Sequence, residues 1–377
     1  MTKWSACLNA FTFCLMIFGF AAVTLLHKPV DFSETENRVL AQMPEVNLDG
    51  MLNGSFESAY EDYLTDQIIF RDRWIALKTS VERLALRRES KDVYFAEDGY
   101  LIEKHTGVFE TELARQNAEA LVRFTEEYWA QFTLGRFSVM IVPNAVAILR
   151  DKLPPFAPPS DENAYLKRLA DALPERVWFD AGEVLRGHAG EPLYYRTDHH
   201  WKTLAAFYVA EAWMNGQGGR ALELSDYEIL TVSSSFEGTV QSKLGIHTMG
   251  DTIELFEPKE PVACTVQSDG VPKESLYDIA ALSTKDQYAF YLGGNHGMTH
   301  IETGAEGDRR ILVIKDSYAN CLIPFLTGGY REIDVLDLRY SRQRVSELIA
   351  AGGYTDLLIL YNAAGFASDT GVAKLAR

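Results

Sequence analysis

Apolar and polar positions change rhythm along the chain, and the changes predict its elements. Between residues 56 and 85, Tyr60, Tyr63, Leu64, Gln67, Ile68 and Arg71 fall at i, i+3, i+4 spacing, with Trp74 and Leu77 continuing the stripe. That period predicts an amphipathic helix. Val93–Phe95 and Tyr100–Ile102 flank Asp98-Gly99, the signature of a hairpin. A second amphipathic helix is expected from Glu110 to Phe132, with Leu113, Leu121, Phe124 and Tyr128 on its apolar side. Then the pattern becomes short apolar runs alternating with helical stretches. Strands are expected at Phe137–Val142, Val177–Phe179, Ile311–Ile314, Ile333–Leu336 and Leu357–Tyr361. Helices are expected at Asp161–Leu173 and Trp201–Met214, after Tyr318 (short or kinked, because Pro324 lies within it), and from a Ser341 cap to Ala351. Buried four- to six-residue strands between helices imply an α/β fold with a mainly parallel sheet flanked by helices. Residues 226–305 break the rhythm and read as a β-rich insertion lying over that sheet, and 30–55 as a tether.

The N-terminus decides the compartment. Trp4 to Leu26 carries no charged side chain and is flanked by Lys3 and by His27-Lys28. A run of this length matches the ~20 residues that a helix needs to cross a bilayer. Residues 1–28 are read as an uncleaved signal anchor, with a cleaved signal peptide as the alternative. Either way, 29–377 lies outside the cytoplasm, as one domain with an N-terminal helical and hairpin region at 29–132. The 53 acidic and 36 basic residues give a net charge of −17, which argues against nucleic acid as a partner. Four cysteines, two of them (Cys7 and Cys14) inside the apolar run, are too few for a disulfide scaffold, and no spacing suggests zinc.

Candidate chemistry gathers where strands end, the edge at which open α/β sheets bind ligands. Ser317 follows an apolar strand and opens a helix, where free backbone N–H groups can hold an oxyanion; a plain N-cap is the alternative. A serine nucleophile needs a histidine. The densest polar cluster, Thr197-Asp198-His199-His200-Trp201, supplies one. In an extended D-x-H segment Asp198 and His200 point to one side, and His199 points to the other. A metal reading of Asp198-His199-His200 lacks further ligand pairs such as D-x-D or H-x-x-x-H. Asn295 and His296, in a Gly-Gly-Asn-His turn, could line a cleft. The 18 Tyr are weak support for a sugar substrate.

RTDHHW at 196–201, IKDSYAN at 314–320 and DLRY at 337–340 resemble the bacterial DHHW family, as do SETENRVL at 33–40 and DQIIFRDR at 66–73. That family in turn resembles the SGNH-like acetyltransferase domains of alginate O-acetylation proteins. The resemblance implies an SGNH-hydrolase-like (flavodoxin-like) fold, circularly permuted so that the Asp-His motif precedes the serine. It matches Ser317, His200 and Asp198 to a catalytic triad. It puts Asn362 at the place of the oxyanion asparagine and Arg339 at that of a glycine; Tyr361 is a further candidate for substrate binding, and His199 is expected to satisfy a structural hydrogen bond or line the cleft. The chain departs from the hydrolase pattern in having D-x-H for D-x-x-H, no glycine before Asp316-Ser317 and no G-x-N-D at Tyr361-Asn362.

The leading expectation is an extracytoplasmic acyl (acetyl) transferase or esterase acting on a cell-surface polysaccharide. It would need no cofactor or metal, and a membrane O-acyltransferase would be its implied acyl-supplying partner. The alternatives are a catalytically silent glycan-binding or scaffold protein of the envelope and a metal-dependent phosphoesterase.

Overall fold

The structure, a computed structural model, describes residues 3–33, 38–132, 137–216 and 221–376. Part of the SETENRVL motif, Glu34 to Asn37, lies outside the described residues. The chain divides into two compact units, one of residues 1–87 with 242–247, the other of 88–241 and 248–377.

In the first unit, helix α1 (Lys3–Leu26) contains an apolar stretch, Cys7–Thr24, of mean hydropathy 1.9 and wholly unburied. The helix is long and apolar enough to cross a membrane. Helix α2 (Leu48–Asn53) follows, capped by the Asn47 side chain, which accepts from the Gly50 N–H. The single helix expected over 56–85 is two, α3 (Ser55–Gln67) and α4 (Arg71–Leu84). The break is at Phe70, whose φ of 58° lies in the left-handed region and cannot continue a right-handed helix. Asp66 and Gln67, the first residues of the DQIIFRDR motif, hold the segment before α2. Gln67 accepts from the Val30 N–H at 2.9 Å and donates to the carbonyls of Val30 and Ala41. Asp66 accepts from the Ala41 N–H at 2.9 Å.

The second unit begins with a hairpin, β1 (Val93–Phe95) and β2 (Leu101–Glu103). Its connection places Asp98 and Gly99 at positive φ, which Asp and Gly tolerate best. Helix α5 (Glu112–Tyr128) starts where Thr111 accepts from the Ala114 N–H. The elements that follow are β3 (Phe137–Val142), α6 (Glu162–Ala172), α7 (Thr203–Gly216), β4 (Tyr227–Phe236), β5 (Asp251–Pro258), β6 (Cys264–Ser268), β7 (Val271–Lys273), β8 (Met298–Thr303), β9 (Arg310–Lys315), β10 (Glu332–Leu336), α8 (Val345–Gly352), β11 (Asp356–Asn362) and α9 (Ala363–Ser368).

Seven strands make one sheet in the order β7-β6-β8-β10-β9-β11-β3. Strands β10, β9, β11 and β3 are mutually parallel, with Ile314 opposite Leu336 and Asn362 opposite Val142. β8, β6 and β7 are added antiparallel beyond β10. The sheet is therefore mixed, which corrects the expectation of a mainly parallel one. The antiparallel half comes from the 226–305 segment. Its strands are joined without crossover helices, so they extend the sheet edge instead of lying over it. Within that segment, β4 and β5 form a separate ribbon. Val177–Phe179 adds just one parallel bridge, Trp178 to Val139.

Alternation along the central strands feeds two cores. Ile311, Val313, Leu358 and Leu360 pack with α7, and Leu312, Ile314, Leu357 and Ile359 with α5 and α9. After Ser317 the chain makes two 3₁₀ turns, Ser317–Cys321 and Ile323–Leu326, instead of an α-helix, since Pro324 at the start of the second cannot donate to the first. Helix α8 starts three residues later than the Ser341 cap would put it. Ser341 accepts from the Gln343 N–H in the turn before.

Candidate active site

Three segments meet at the carboxyl edge of β9 and β11. At the end of β9, Asp316 caps the first 3₁₀ turn by accepting from the Tyr318 N–H at 2.9 Å, and this presents Ser317. The RTDHHW segment is a tight bend closed by an antiparallel bridge between Tyr194 and Trp201, not the extended strand expected. Asp198 and His200 still face each other because Asp198 Oδ1 accepts from the His200 backbone N–H at 3.0 Å, an Asx turn. The same oxygen is 2.6 Å from His200 Nδ1, and His200 Nε2 is 2.7 Å from Ser317 Oγ. The three side chains form one hydrogen-bonded line in which the carboxylate selects the tautomer whose Nε2 can take a proton from the serine.

The line is held from all sides. Asp198 Oδ2 accepts from both the backbone N–H and the hydroxyl of Thr239, at 2.8 and 2.9 Å. The Tyr288 ring stacks on the His200 imidazole, with centroids 3.7 Å apart and planes inclined by 13°. The Tyr288 hydroxyl donates to the Ser317 carbonyl. The Trp201 indole N–H donates to the Tyr318 carbonyl at 2.8 Å, tying the histidine bend to the serine turn. Asp251 accepts from the N–H and hydroxyl of Thr197, one residue before Asp198.

Burial governs the charges. It would raise the Asp198 carboxyl, but His199, His200 and the Thr239 N–H outweigh it and hold the group well below the usual carboxylate range. Burial pushes His200 down to about 4, with His199 and Arg339 adding repulsion and Asp198 opposing them. The imidazole is thus neutral, the form a general base needs.

A cavity of about 270 Å³ opens on Ser317, bordered by His199, Arg339, Asn362 and Asn144. The Arg339 guanidinium is clamped by Asp337, with Nε to Oδ1 at 2.9 Å and NH2 to Oδ2 at 2.6 Å. Lys315 Nζ lies 3.3 Å from the same Asp337 Oδ2. Asn362 donates from its N–H and its Nδ2 to Asp316 Oδ2, at 2.8 and 2.7 Å, and its Oδ1 accepts from Asn144 Nδ2 at 3.0 Å. Burial lifts Asp316 to about 6, with Arg339 and the N–H groups of Asn362 and Tyr318 pulling down. A larger cavity, about 840 Å³ and lined by residues such as Val232, Leu255 and Phe325, borders none of the three line residues.

Three residues expected at the cleft are elsewhere. Tyr361 is fully buried in the apolar core near Phe366, because strand alternation turns it away from the edge where Asn362 faces. Asn295 accepts from Lys315 Nζ at 2.9 Å and does not border the serine cavity. His296 pairs with Asp269. His199 borders the cavity and its Nδ1 is 2.9 Å from the Thr239 hydroxyl. Sequence reasoning missed Thr239, Tyr288 and Asp251, which come from distant segments without a local motif. It also missed Asp337, whose signal was the DLRY motif itself.

Asp198, His199 and His200 each offer a ligand atom within 4.8 Å of the others. Those donors are already engaged, both Asp198 oxygens by His200 and Thr239 and both His200 nitrogens by Asp198 and Ser317. An ion would have to break the line to bind, so the donor set does not fit a metal site.

A hydroxyl, an imidazole and a carboxylate thus lie in one hydrogen-bonded line at the edge of a mixed α/β sheet. The chain belongs to the DHHW family: the DHHW protein profile matches residues 138–336. A DHHW family protein from Eubacterium siraeum shares the fold at 23% identity and a TM-score of 0.60, over 76% of this chain and 95% of that one. PatB1 of Bacillus cereus, solved with a sulfonyl adduct, matches at 21% identity and a TM-score of 0.59, over 76% of this chain and all of that one. The O-acetyltransferase domain of Pseudomonas putida AlgJ matches more loosely, at 13% identity and a TM-score of 0.43, over 75% and 98%. No curated protein matches the chain.

Proposed function

We propose that this chain is an extracytoplasmic Ser-His-Asp acyl (acetyl) transferase or esterase acting on a cell-surface polysaccharide, anchored by α1. The observation that carries the reading is the continuous line from Asp198 through His200 to Ser317, with contacts of 2.6 and 2.7 Å. Ser317 Oγ attacks an acyl carbonyl while its proton passes to His200 Nε2, and Asp198 stabilises the imidazolium. The tetrahedral intermediate collapses, the leaving oxygen takes that proton, and Ser317 keeps the acyl group. A sugar hydroxyl or water then gives a proton to His200 as it attacks the acyl-enzyme, and the second tetrahedral intermediate collapses with His200 returning that proton to Ser317 Oγ as the acylated sugar or free acid leaves. The Tyr318 N–H is spent on Asp316, so the oxyanion is assigned to the Ser317 N–H, the clamped Arg339 and the second N–H of Asn362 Nδ2. The polysaccharide acceptor and the membrane O-acyltransferase donor rest on the resemblance of the D-x-H-W and serine motifs to alginate O-acetylation domains.

The test uses purified full-length chain. A sulfonyl fluoride should modify Ser317, fluoride leaving as the Oγ–sulfur bond forms, and a small acetyl ester should be hydrolysed or its acetyl passed to an oligosaccharide. Ser317→Ala should lose both. A folded chain that binds polysaccharide, resists the sulfonyl fluoride and turns over no ester is instead a silent glycan-binding protein.

A further inference from the structure

Helix α4 wears its apolar side outward. Trp74, Leu77, Val81 and Leu84 succeed one another at steps of three and four residues, one stripe of a 3.6-residue helix preceded by Phe70 at the N-cap, and all five are between 45% and 83% exposed. The opposite face is the packed one. Thr79 is buried, and Ile75 and Ala76 close on the backbone at Gly245, where a Cβ would lie 3.0 Å from the Ala76 nitrogen. A helix that packs its mixed face and offers water its large side chains is inverted for an aqueous surface.

Two observations name what covers it. The Trp74 ring meets the Phe20 ring of α1 edge-on, with centroids 5.8 Å apart. Phe20 sits four residues before the end of the apolar stretch Cys7–Thr24, about 6 Å inside it at 1.5 Å per residue. Trp74 is therefore held at the depth where hydrocarbon gives way to headgroups, the level at which tryptophan is enriched. Charge agrees. Residues 71–87 carry five Lys or Arg against two carboxylates, in a chain of net charge −17, and the Arg73 guanidinium reaches over the Phe70 ring at 5.3 Å. Basic side chains bordering an apolar stripe suit an anionic lipid surface.

We infer that α4 lies in the interfacial layer of the bilayer that α1 crosses, its stripe among acyl chains and its basic residues against anionic phospholipid headgroups. This rests on the reading of α1 as a membrane anchor.

The experiment reconstitutes the full chain into vesicles of phosphatidylcholine with and without phosphatidylglycerol, the acyl chains brominated at shallow or deep positions. Alkaline carbonate extraction first shows whether α1 is inserted. The difference in fluorescence between wild type and Trp74→Phe isolates Trp74, and Val81→Trp in that background probes the far end of the stripe. The expected result is loss of most of both signals to shallow bromines, little to deep ones, and a larger loss with phosphatidylglycerol. Arg73→Glu combined with Arg83→Glu should remove the phosphatidylglycerol dependence. A chain that resists carbonate but shows no quenching at either position overturns the inference and leaves the anchor standing. The same holds if photo-crosslinkers at Leu77 capture a second copy or another protein and no lipid. Release by carbonate overturns the anchor reading and the inference together.

Discussion

Gly238 lies against Asp198 so closely that a Cβ on it would sit 2.3 Å from the Asp198 Cβ and 2.6 Å from its Cα. No side chain fits there without moving the backbone that aims the carboxylate at His200. Gly238→Ala should therefore act as a positioning variant. It should lower kcat for acetyl ester hydrolysis on the order of 10²-fold with KM nearly unchanged, since small misplacements of catalytic groups cost about that much. An unchanged kcat in a folded Gly238→Ala protein would show that the Asp198 aim is unimportant.

Ser317→Ala and His200→Ala should each reduce kcat by on the order of 10³-fold or more, and the double variant should be no worse than either alone, because the line acts as a unit. His199→Ala should cost much less, as its imidazole meets Thr239 and borders the cavity without touching Ser317. Multiplying effects of Ser317 and His200 in the double variant would refute a shared step.

The pH profile follows from the His200 environment. Its imidazole is pushed down to about 4 by burial, with repulsion from His199 and Arg339 and attraction from Asp198. The acid limb of kcat/KM should thus fall well below the ordinary histidine value of about 6.5. Removing one repulsive neighbour, as in His199→Gln, should move that limb upward. Stability has the same sign: the unfolded chain takes up the proton first, so the His200 contribution is complete above about pH 6.5 and is lost as pH falls toward 4. A limb at the ordinary value would mean that a different base operates.

Arg339→Ala should lower kcat on the order of 10²-fold, the usual effect of deleting one oxyanion donor, with free guanidinium restoring part of it. Lys315→Met should act through stability instead. It leaves Asp337 paired with Arg339 alone and removes the Lys315 bonds to Asn295 and Asn320, a loss of roughly 1.5–3 kcal/mol, the usual worth of a hydrogen bond to a charged group. Thermal melts and kcat measured on the same preparations separate the two effects.

Glu162 sits wholly buried behind Asn144, accepting its N–H at 2.6 Å, and burial pushes its carboxyl up to about 8 while that N–H pulls the other way. A raised carboxyl binds its proton in the folded state, so its contribution is lost as pH rises from about 4.5 toward 8. Glu162→Gln should raise the melting temperature at pH 8.5, by about 2–4 °C for a gain on the order of 1 kcal/mol, and do little at pH 5.

Period and composition were enough to place the parallel strands, because β9, β10 and β11 are buried on both faces and read as short apolar runs, broken in β10 only by Asp334. They were not enough for β6 to β8. Those strands sit toward one edge, alternate less cleanly and owe their place to pairing with β10, which no local pattern announces. The site divides the same way. Asp198, His200 and Ser317 sit in short motifs whose residue types suit one another. Asp198 and His200 were expected to converge through strand alternation and do so through an Asx turn. Tyr361 was misjudged because a strand end offers two faces and only the fold says which one meets the cavity. The hold that Thr239 and Tyr288 exert spans 41 and 88 residues of chain, and that distance leaves no trace in spacing.

Tyr288 belongs to the segment that supplies the antiparallel strands, yet its ring is the roof over the His200 imidazole. The sheet extension and the base are thus one inheritance. A relative that shortened the segment between β7 and β8 would lose the aromatic lid together with the hydroxyl that steadies the Ser317 carbonyl. It could keep every residue of the Asp-His-Ser line and still have to recruit a flat side chain from another part of the chain before that line could be held at the same tilt.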